Sequence, residues 1–245
     1  MSNKLSLEGL DFQATKIDVH NNILTITLNR PEKKNALNNV MVNEINYALA
    51  FAKQEDSIRV IVIAAEGDIF CAGADLKRQK SESNVPELKE ANDISIALRH
   101  LYKPVICKIQ GSVLAGALLM VANSTHSIAV KEAKFSAPEI KRGLWPFMVM
   151  AGLFRVMPKR AGLDFIMRGQ PIDANKAEQW YQEQVVEVLY GNAKGAILGS
   201  SVNIALVSFV LWTIYPTYGL LIWFIFGQVL SLLRLYVFIR YDNDK

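Results

Sequence analysis

The residues Phe70-Cys71-Ala72-Gly73-Ala74-Asp75-Leu76 form a turn of small side chains soon after a strongly apolar run. That run, Val60-Ile61-Val62-Ile63-Ala64-Ala65, is uncharged and rich in β-branched residues, so it predicts a strand buried on both faces. Glu66-Gly67-Asp68 is typical of the turn that ends such a strand. Small residues around Gly73 let the backbone bend sharply and leave its N–H groups uncovered. Backbone donors in this position can bind an anion or a developing oxyanion.

A second stretch of the same kind is Gly111-Ser112-Val113-Leu114-Ala115-Gly116-Ala117-Leu118, which follows a predicted strand from Pro104 to Ile109. Two small-residue turns after two buried strands can aim two N–H groups at one carbonyl oxygen. Small residues also end the strands of ordinary α/β cores, so the pattern by itself leaves two alternatives open. Either the turns form an oxyanion site or they only pack the chain tightly.

Strand and helix patterns alternate along the rest of the first 180 residues. Residues 14–28 alternate in polarity around His20-Asn21-Asn22, which predicts a β-hairpin. Asn38 or Asn39 can cap the helix that follows, whose apolar residues recur at helical spacing. Further helices are predicted at 91–101, 115–122, 159–167 and from a cap at Asp173 to Trp180. This alternation predicts an α/β fold with largely buried sheets.

The composition excludes several classes of protein. The 245 residues carry 27 Lys and Arg against 23 Asp and Glu, spread along the chain, which does not indicate a nucleic-acid partner. Cys71 and Cys107 lie in apolar stretches without metal-ligand spacing, and His20, His100 and His126 form no cluster, so no metal site is expected. The first residues have no apolar segment of the kind that a signal peptide carries.

Four ordered motifs resemble the enoyl-CoA hydratase/isomerase (crotonase) family over about residues 15–180. They are Asn29-Arg30-Pro31 with Asn35-Ala36-Leu37-Asn38, then residues 70–76, then 111–116, then Phe135-Ser136-Ala137-Pro138-Glu139. The resemblance implies a crotonase-like spiral of ββα units that binds an acyl-CoA thioester. It implies no cofactor beyond the coenzyme A that the substrate itself carries.

The resemblance also assigns roles to particular positions. The N–H groups of Ala74 and Gly116 would hold the thioester oxygen, and Glu139 matches a catalytic glutamate that serves as acid and base. The positions that match the wall of the coenzyme A site are Ala36, Ala72, Asp75 and Leu76. Without the order of the motifs, Glu139 would be interpreted as an ordinary exposed carboxylate after Pro138.

One position departs from the family pattern. The family's other glutamate falls at Leu119, which as a plain sequence feature is a core residue on an amphipathic helix. Hydration of a 2-enoyl thioester generally uses two carboxylates to hold and split one water, whereas one carboxylate can move a proton from C2 to C4. The sequence therefore favours double-bond isomerisation over hydration. The alternative is a catalytically impaired protein that binds acyl-CoA or acts as a membrane interaction protein.

The C-terminal part of the chain has a different composition. No Asp, Glu, Lys, Arg or His occurs from Gly195 to Leu233. Two apolar runs, 196–214 and 219–239, are each long enough to cross about 30 Å of hydrocarbon as helices. They predict a two-helix transmembrane hairpin with a short basic tail, which would contact the lipid bilayer through residues 196–239. The alternative is a pair of buried helices in a soluble domain.

These patterns define the expected organisation: an acyl-CoA domain at 1–180, a linker helix at 181–195 and the hairpin at 196–245. Lys194 and the basic residues from Arg234 onward place the N-terminal domain on the cytoplasmic side of a membrane. The hairpin resembles the membrane segment of bacterial sensor kinases and diguanylate cyclases, which leaves a membrane signalling remnant as a third interpretation. Crotonase relatives usually form trimers or hexamers, but the helices that build them have no counterpart here, so weaker homo-oligomerisation is predicted unless the membrane segment replaces them.

Overall fold

The computed structural model describes residues 5–76, 83–88, 93–180, 224–233 and 236. The chain divides into two compact units, Met1–Tyr181 and Gln182–Lys245. The described strands of the first unit are β1 (Thr15–His20), β2 (Ile23–Leu28), β3 (Val60–Ala65), β4 (Ile69–Cys71), β5 (Val105–Ile109), β6 (Ser112–Leu114), β7 (His126–Ala129), β8 (Lys134–Ser136) and β9 (Ile172–Asp173).

The described helices of this unit are mostly short. They are α1 (Asn39–Gln54), α2 (Ile94–Arg99), α3 (Leu118–Asn123), α4 (Phe147–Leu153) and α5 (Lys159–Arg168), with 3₁₀ helices at Pro31–Lys33, Ala115–Ala117 and Pro138–Arg142. Residues 174–180 are also helical, and the backbone N–H of Lys176 donates to the Asp173 carboxylate at 2.8 Å, as the predicted cap requires. The predicted helix at 115–122 differs at its start, where a 3₁₀ turn precedes α3.

The strands form two sheets, with the orders β1-β2-β3-β5-β7 and β4-β6-β8-β9. β1 and β2 form the predicted antiparallel hairpin, and β2, β3, β5 and β7 run parallel. In β3 the side chains of Ile61 and Ile63 are fully buried, whereas Val60 and Val62 on the opposite face are half-buried. The predicted burial of this strand therefore holds for one face and only partly for the other.

The chain repeats one pattern three times in the described residues. A strand of the first sheet, a short turn, a strand of the second sheet and a helix follow one another as β3-β4-α2, β5-β6-α3 and β7-β8-α4. The turns pack so closely that a Cβ on Gly111 would collide with the carbonyl oxygen of Asp68. The α/β class and the ββα units expected from the sequence are confirmed.

Helix α1 is fixed at its start and along one side. The Asn38 side chain accepts a hydrogen bond from the N–H of Met41 at 3.0 Å, a cap that contributes about 1 kcal/mol. Glu44 on α1 is fully buried and accepts bonds from the N–H of Gln13, the N–H of Ala14 and the hydroxyl of Thr15. These bonds supply the partners that a buried carboxylate needs and attach the beginning of β1 to the helix.

In the second unit the structure describes residues 224–233 and 236, which are helical. Among the described residues, no helix combines the length and the apolar character needed to cross a membrane. The predicted linker helix at 181–195 and most of the predicted hairpin at 196–245 lie outside the described residues.

Candidate active site

Three turns meet at one edge of the second sheet. β4, β6 and β8 are parallel neighbours, so their carboxyl ends lie side by side. Ala74 comes three residues after β4, Gly116 two residues after β6, and Glu139 three residues after β8. The topology therefore brings together the three positions to which the sequence assigns the chemistry.

The first two turns touch each other at Gly73. Its φ of +85° is in the left-handed region, and a Cβ added there would lie 2.8 Å from the Cβ of Ala115 and 3.1 Å from the backbone nitrogen of Gly116. Only glycine fits these two constraints at once. The peptide that carries the N–H of Ala74 is thus packed against the turn that carries the N–H of Gly116.

The N–H of Ala74 is an uncommitted donor of its turn. On one side, Ala72 donates its N–H to the carbonyl oxygen of Lys34 at 3.0 Å. On the other side, Asp75 donates its N–H to the carbonyl oxygen of Leu37 at 2.9 Å. Among the described residues the N–H of Ala74 has no acceptor, so it is available to a ligand.

Gly116 presents its backbone to open space. It is the second residue of the 3₁₀ helix Ala115–Ala117, and the first N–H groups of a helix have no acceptor within the helix. The preceding residue, Ala115, has a φ of 54°, a strained conformation of the kind found at functional sites. A Cβ added to Gly116 would meet no atom within 4 Å, which leaves room for a substrate atom beside this N–H.

Glu139 supplies the carboxylate of the site. It lies in the 3₁₀ helix Pro138–Arg142, and its Oε2 atom is buried without a hydrogen-bond partner among the described residues. Burial raises the pKa of this carboxyl group, while its own backbone N–H and the charge of Arg142 lower the pKa by smaller amounts. A buried carboxyl oxygen without a partner is unusual, and a raised pKa suits a group that both takes up and releases a proton.

A loop on the other side of the Ala74 turn carries Ala36, one of the positions that the family resemblance assigns to the coenzyme A site. Leu37 and Ala74 form an isolated parallel bridge, which places the loop that contains Ala36 beside the turn that contains Asp75. The guanidinium of Arg30 binds the carbonyl oxygen of Ala36 at 2.6 Å and the carboxylate of Asp75 at 3.2 Å. Leu76, at 72% exposure, lies at the open side.

Arg30 changes the interpretation of Asp75. The side chains of the two residues are only 14% and 18% exposed, so the ion pair is largely shielded from water. The carboxylate of Asp75 thus holds the loop in place, and its contribution to a ligand site is indirect. In the sequence, this ion pair was indicated only by the Arg-Pro pair at the start of the loop. The sequence alone did not show which residue pairs with Arg30.

Asn35 organises the same loop from inside. It is fully buried with a φ of 51°, and its side-chain amide donates to the carbonyl oxygens of Glu66 and Ile69, both at 2.8 Å. Its own carbonyl accepts a bond from the thiol of Cys71 at 3.0 Å. Burial raises the pKa of that thiol to about 12, so Cys71 is a neutral donor in the core.

The position of the absent second carboxylate is filled by hydrocarbon. Leu119 is half-buried on α3, and its Cδ2 atom would lie 2.5 Å from a Cβ added to Gly152 of α4. This contact supports its interpretation as a packing residue. Among the described residues, no group of three or more His, Cys, Asp or Glu side chains is placed to hold a metal ion.

An α/β spiral of ββα units with two backbone donors and a carboxylate at one sheet edge defines the class of protein. The sequence profile described as enoyl-CoA hydratase/isomerase matches residues 18–182, and the chain belongs to that family. The matched part ends before the predicted membrane hairpin, so the resemblance of 196–245 to sensor-kinase segments is not supported by it.

Individual relatives include both reaction types. Mevalonyl-coenzyme A hydratase sidH of Aspergillus fumigatus is 32% identical over 165 residues, which cover 64% of this chain and 60% of the relative. Trans-2-decenoyl-[acyl-carrier-protein] isomerase of Streptococcus mutans is 29% identical over 181 residues, with coverage of 70% and 68%. The crystal structure of an enoyl-CoA hydratase of Mycobacterium smegmatis superposes with a TM-score of 0.61 at 28% identity, covering 69% of this chain and 67% of that chain.

Proposed function

We propose that this protein acts on an acyl-CoA thioester and shifts a carbon–carbon double bond within its acyl chain. The thioester oxygen accepts hydrogen bonds from the N–H groups of Ala74 and Gly116. The observation that carries the proposal is the buried, unpartnered Oε2 of Glu139 at the sheet edge where these two donors lie. Two fixed donors and one carboxyl group of raised pKa are the parts that enolate chemistry needs.

The proton balance of the reaction uses Glu139 twice. Its carboxylate takes a proton from C2 of a 3-enoyl thioester, and the electron pair passes to the thioester oxygen, where the two N–H groups stabilise the dienolate. The protonated Glu139 then returns the proton to C4, which gives the 2-enoyl thioester and regenerates the carboxylate. Loss of one such oxyanion donor typically costs roughly 3 kcal/mol of barrier height.

Isomerisation is preferred to hydration in this proposal because Leu119 replaces a second carboxylate. Without that second carboxylate, α3 offers no carboxylate that could hold and activate a water. The relatives do not separate the alternatives, since both hydratases and an isomerase are among them.

The test is turnover of trans-3-enoyl-CoA and crotonyl-CoA by the full-length protein, beside Glu139→Gln and the control Glu132→Gln. Glu132 is an exposed carboxylate in the turn before β8. We expect isomerisation by the wild type and by Glu132→Gln, and a loss of at least about 100-fold in Glu139→Gln. Hydration that proceeds as fast as isomerisation would contradict the preference.

A second candidate function is acyl-CoA binding without turnover, favoured by the same Leu119. In that case a non-reactive acyl-CoA binds equally to the wild type and to Glu139→Gln, and neither substrate is converted. Calorimetric titration together with the turnover assay separates the two functions.

Attachment to a lipid bilayer through 196–239, with the first domain on the cytoplasmic side, is a further part of the proposal. Its support is the uncharged stretch from Gly195 to Leu233. A homo-oligomer that is weaker than the usual trimers of the family is likewise proposed, from the resemblance to the family alone.

A further inference from the structure

A cavity of about 630 Å³ opens at the far end of α3 from the candidate active site. Gly116 precedes the first residue of α3, whereas Ala122 and Asn123 at its last turn line the cavity. The lining also includes Pro104 and Thr125, which directly precede β5 and β7. The cavity thus lies at the amino ends of strands, and α3, about 9 Å long at 1.5 Å per residue, separates it from the oxyanion turns.

The charged residues that line the cavity are all positive. They are Arg99, Lys103 and Arg155, and no Asp or Glu is among the lining residues. Lys103 is already used, since its Nζ atom donates to the carbonyl oxygens of Ala52 and Glu55 at 2.7 and 2.8 Å. Arg99 and Arg155 make no side-chain hydrogen bond or ion pair with any described residue. Each guanidinium therefore offers five N–H donors to a ligand.

The partial negative charges of the helix C-termini at the cavity are too small to neutralise these cations. α2, α3 and α4 each end there, and a helix C-terminus carries roughly −0.5 elementary charge, so three ends amount to about −1.5 against three full positive charges. The carbonyl oxygens of Ile96, Val121 and Gly152 at these ends already accept backbone N–H groups. Positive charge and unused donors are therefore in excess at the cavity.

An exposed aromatic ring stands at the rim. Tyr102 has a φ of 58°, unusual for a bulky residue, and its side chain is 85% exposed. The ring and that of His100 form an edge-type pair with 6.4 Å between the ring centroids, and the high exposure of Tyr102 leaves most of its surface open to a planar group. The hydroxyl oxygen of Thr125 accepts a bond from the N–H of Val105 at 3.0 Å, which leaves its proton available to a further acceptor.

We propose that this cavity binds a nucleoside diphosphate, with its phosphates on Arg99 and Arg155 and its base stacked on Tyr102. Guanidinium groups match phosphate oxygens in pairs, and stacking on an aromatic ring accepts any base. The site is separate from the acyl-CoA site of the proposed function.

The test is calorimetric titration of the full-length protein with GDP, and with pyrophosphate in a parallel series. GDP is the probe because coenzyme A carries an adenine nucleotide, so GDP is less prone to occupy the acyl-CoA site. We expect GDP binding to weaken at least 30-fold in the double variant Arg99→Gln/Arg155→Gln and to stay unchanged in Arg160→Gln. Arg160 is an exposed arginine of α5 outside the cavity.

The variant Tyr102→Gly distinguishes the contribution of the base to binding from that of the phosphates. It removes the ring and suits a left-handed φ, so the fold is retained, and we expect GDP binding to weaken about 10-fold while pyrophosphate binding is unchanged. GDP binding that is insensitive to both arginines would overturn the proposal. So would pyrophosphate binding as tight as that of GDP, because the base would then contribute nothing.

Discussion

Gly73 and Gly116 belong to one site but differ in the space that the fold leaves for a side chain. A methyl group on Gly73 meets Ala115 and the Gly116 nitrogen in a left-handed backbone, whereas a methyl group on Gly116 enters open space. We expect Gly73→Ala to lower the free energy of unfolding by about 1–3 kcal/mol and to abolish turnover. Gly116→Ala should unfold like the wild type yet lose activity, because its methyl group occupies the substrate's place. Urea denaturation beside the isomerase assay measures both, and equal stability losses would contradict this assignment.

The raised pKa of Glu139 sets the pH dependence of the proposed reaction. The base must be ionised to take the C2 proton, so kcat/KM should fall as the pH drops through a pKa above the ordinary range of glutamate. Arg142 lowers this pKa, so Arg142→Gln should move the acid limb to still higher pH. The pH profile of Lys141→Gln, a neighbouring exposed cation, should stay at the wild-type position. An acid limb that does not move in Arg142→Gln would contradict the role of its charge.

Much of the residue-level site follows from local sequence. The glycines and small residues after β4 and β6 are recognisable because a tight turn selects them wherever it occurs. The pairing of Arg30 with Asp75 is not recognisable, since it joins residues 45 positions apart and depends on which loops the fold brings together. The unpartnered oxygen of Glu139 is likewise a property of its surroundings.

At the scale of elements, Asn35 joins the loop before α1 to the turn between β3 and β4. Asn35→Ala removes three side-chain hydrogen bonds, which leaves two backbone carbonyls without their donor and the N–H of Arg30 without its acceptor, at roughly 1–3 kcal/mol for each buried unsatisfied group. We expect a loss of about 2–4 kcal/mol in the free energy of unfolding. Asn39→Ala, at an exposed position on α1, is the control and should change stability little. Thermal denaturation of both variants checks the difference.

Leu119 lies where α3 packs against α4, and in the proposed function it is the residue at this position that selects between the two reactions. Leu119→Glu restores a carboxylate at the position where the family's other glutamate falls, so it should raise the ratio of hydration to isomerisation. Leu119→Gln introduces a side chain of the same shape as glutamate without its charge, and it should leave the ratio of hydration to isomerisation unchanged. The hydration rate is measured on crotonyl-CoA and the isomerisation rate on trans-3-enoyl-CoA. Only variants whose circular dichroism spectrum matches that of the wild type are compared. An unchanged ratio in Leu119→Glu would show that more than this carboxylate separates the reactions.

At the scale of the whole molecule, the first unit has its own core and closes with a packed aromatic residue. Trp180 lies edge-on to Phe165, with 6.0 Å between ring centroids, and under the ammonium group of Lys176. A shortened chain of residues 1–181 should therefore unfold cooperatively and sediment as a monomer, since the resemblance places the family's trimer-forming helices after this unit. A stable trimer in sedimentation velocity would contradict this expectation.

The α/β class and the succession of ββα units could be predicted from the sequence because four motifs in sequence order constrain them together, whereas the order of the strands within the two sheets was not predicted. The cavity at the far end of α3 could not be predicted, because its lining comes from three separated segments whose spacing in sequence is uninformative. The membrane hairpin at 196–245 stays a prediction, since apolar length was its only basis and most of it lies outside the described residues.

The free amide of Ala74 also makes that residue a natural reporter. The amides of Ala72 and Asp75 are held by carbonyl oxygens and should exchange slowly with deuterium, whereas the amide of Ala74 should exchange fast. A thioester that accepts this N–H would slow a single exchange rate among neighbours that hardly change. Occupancy of the site could thus be followed at one nitrogen, with no label on the ligand and no turnover.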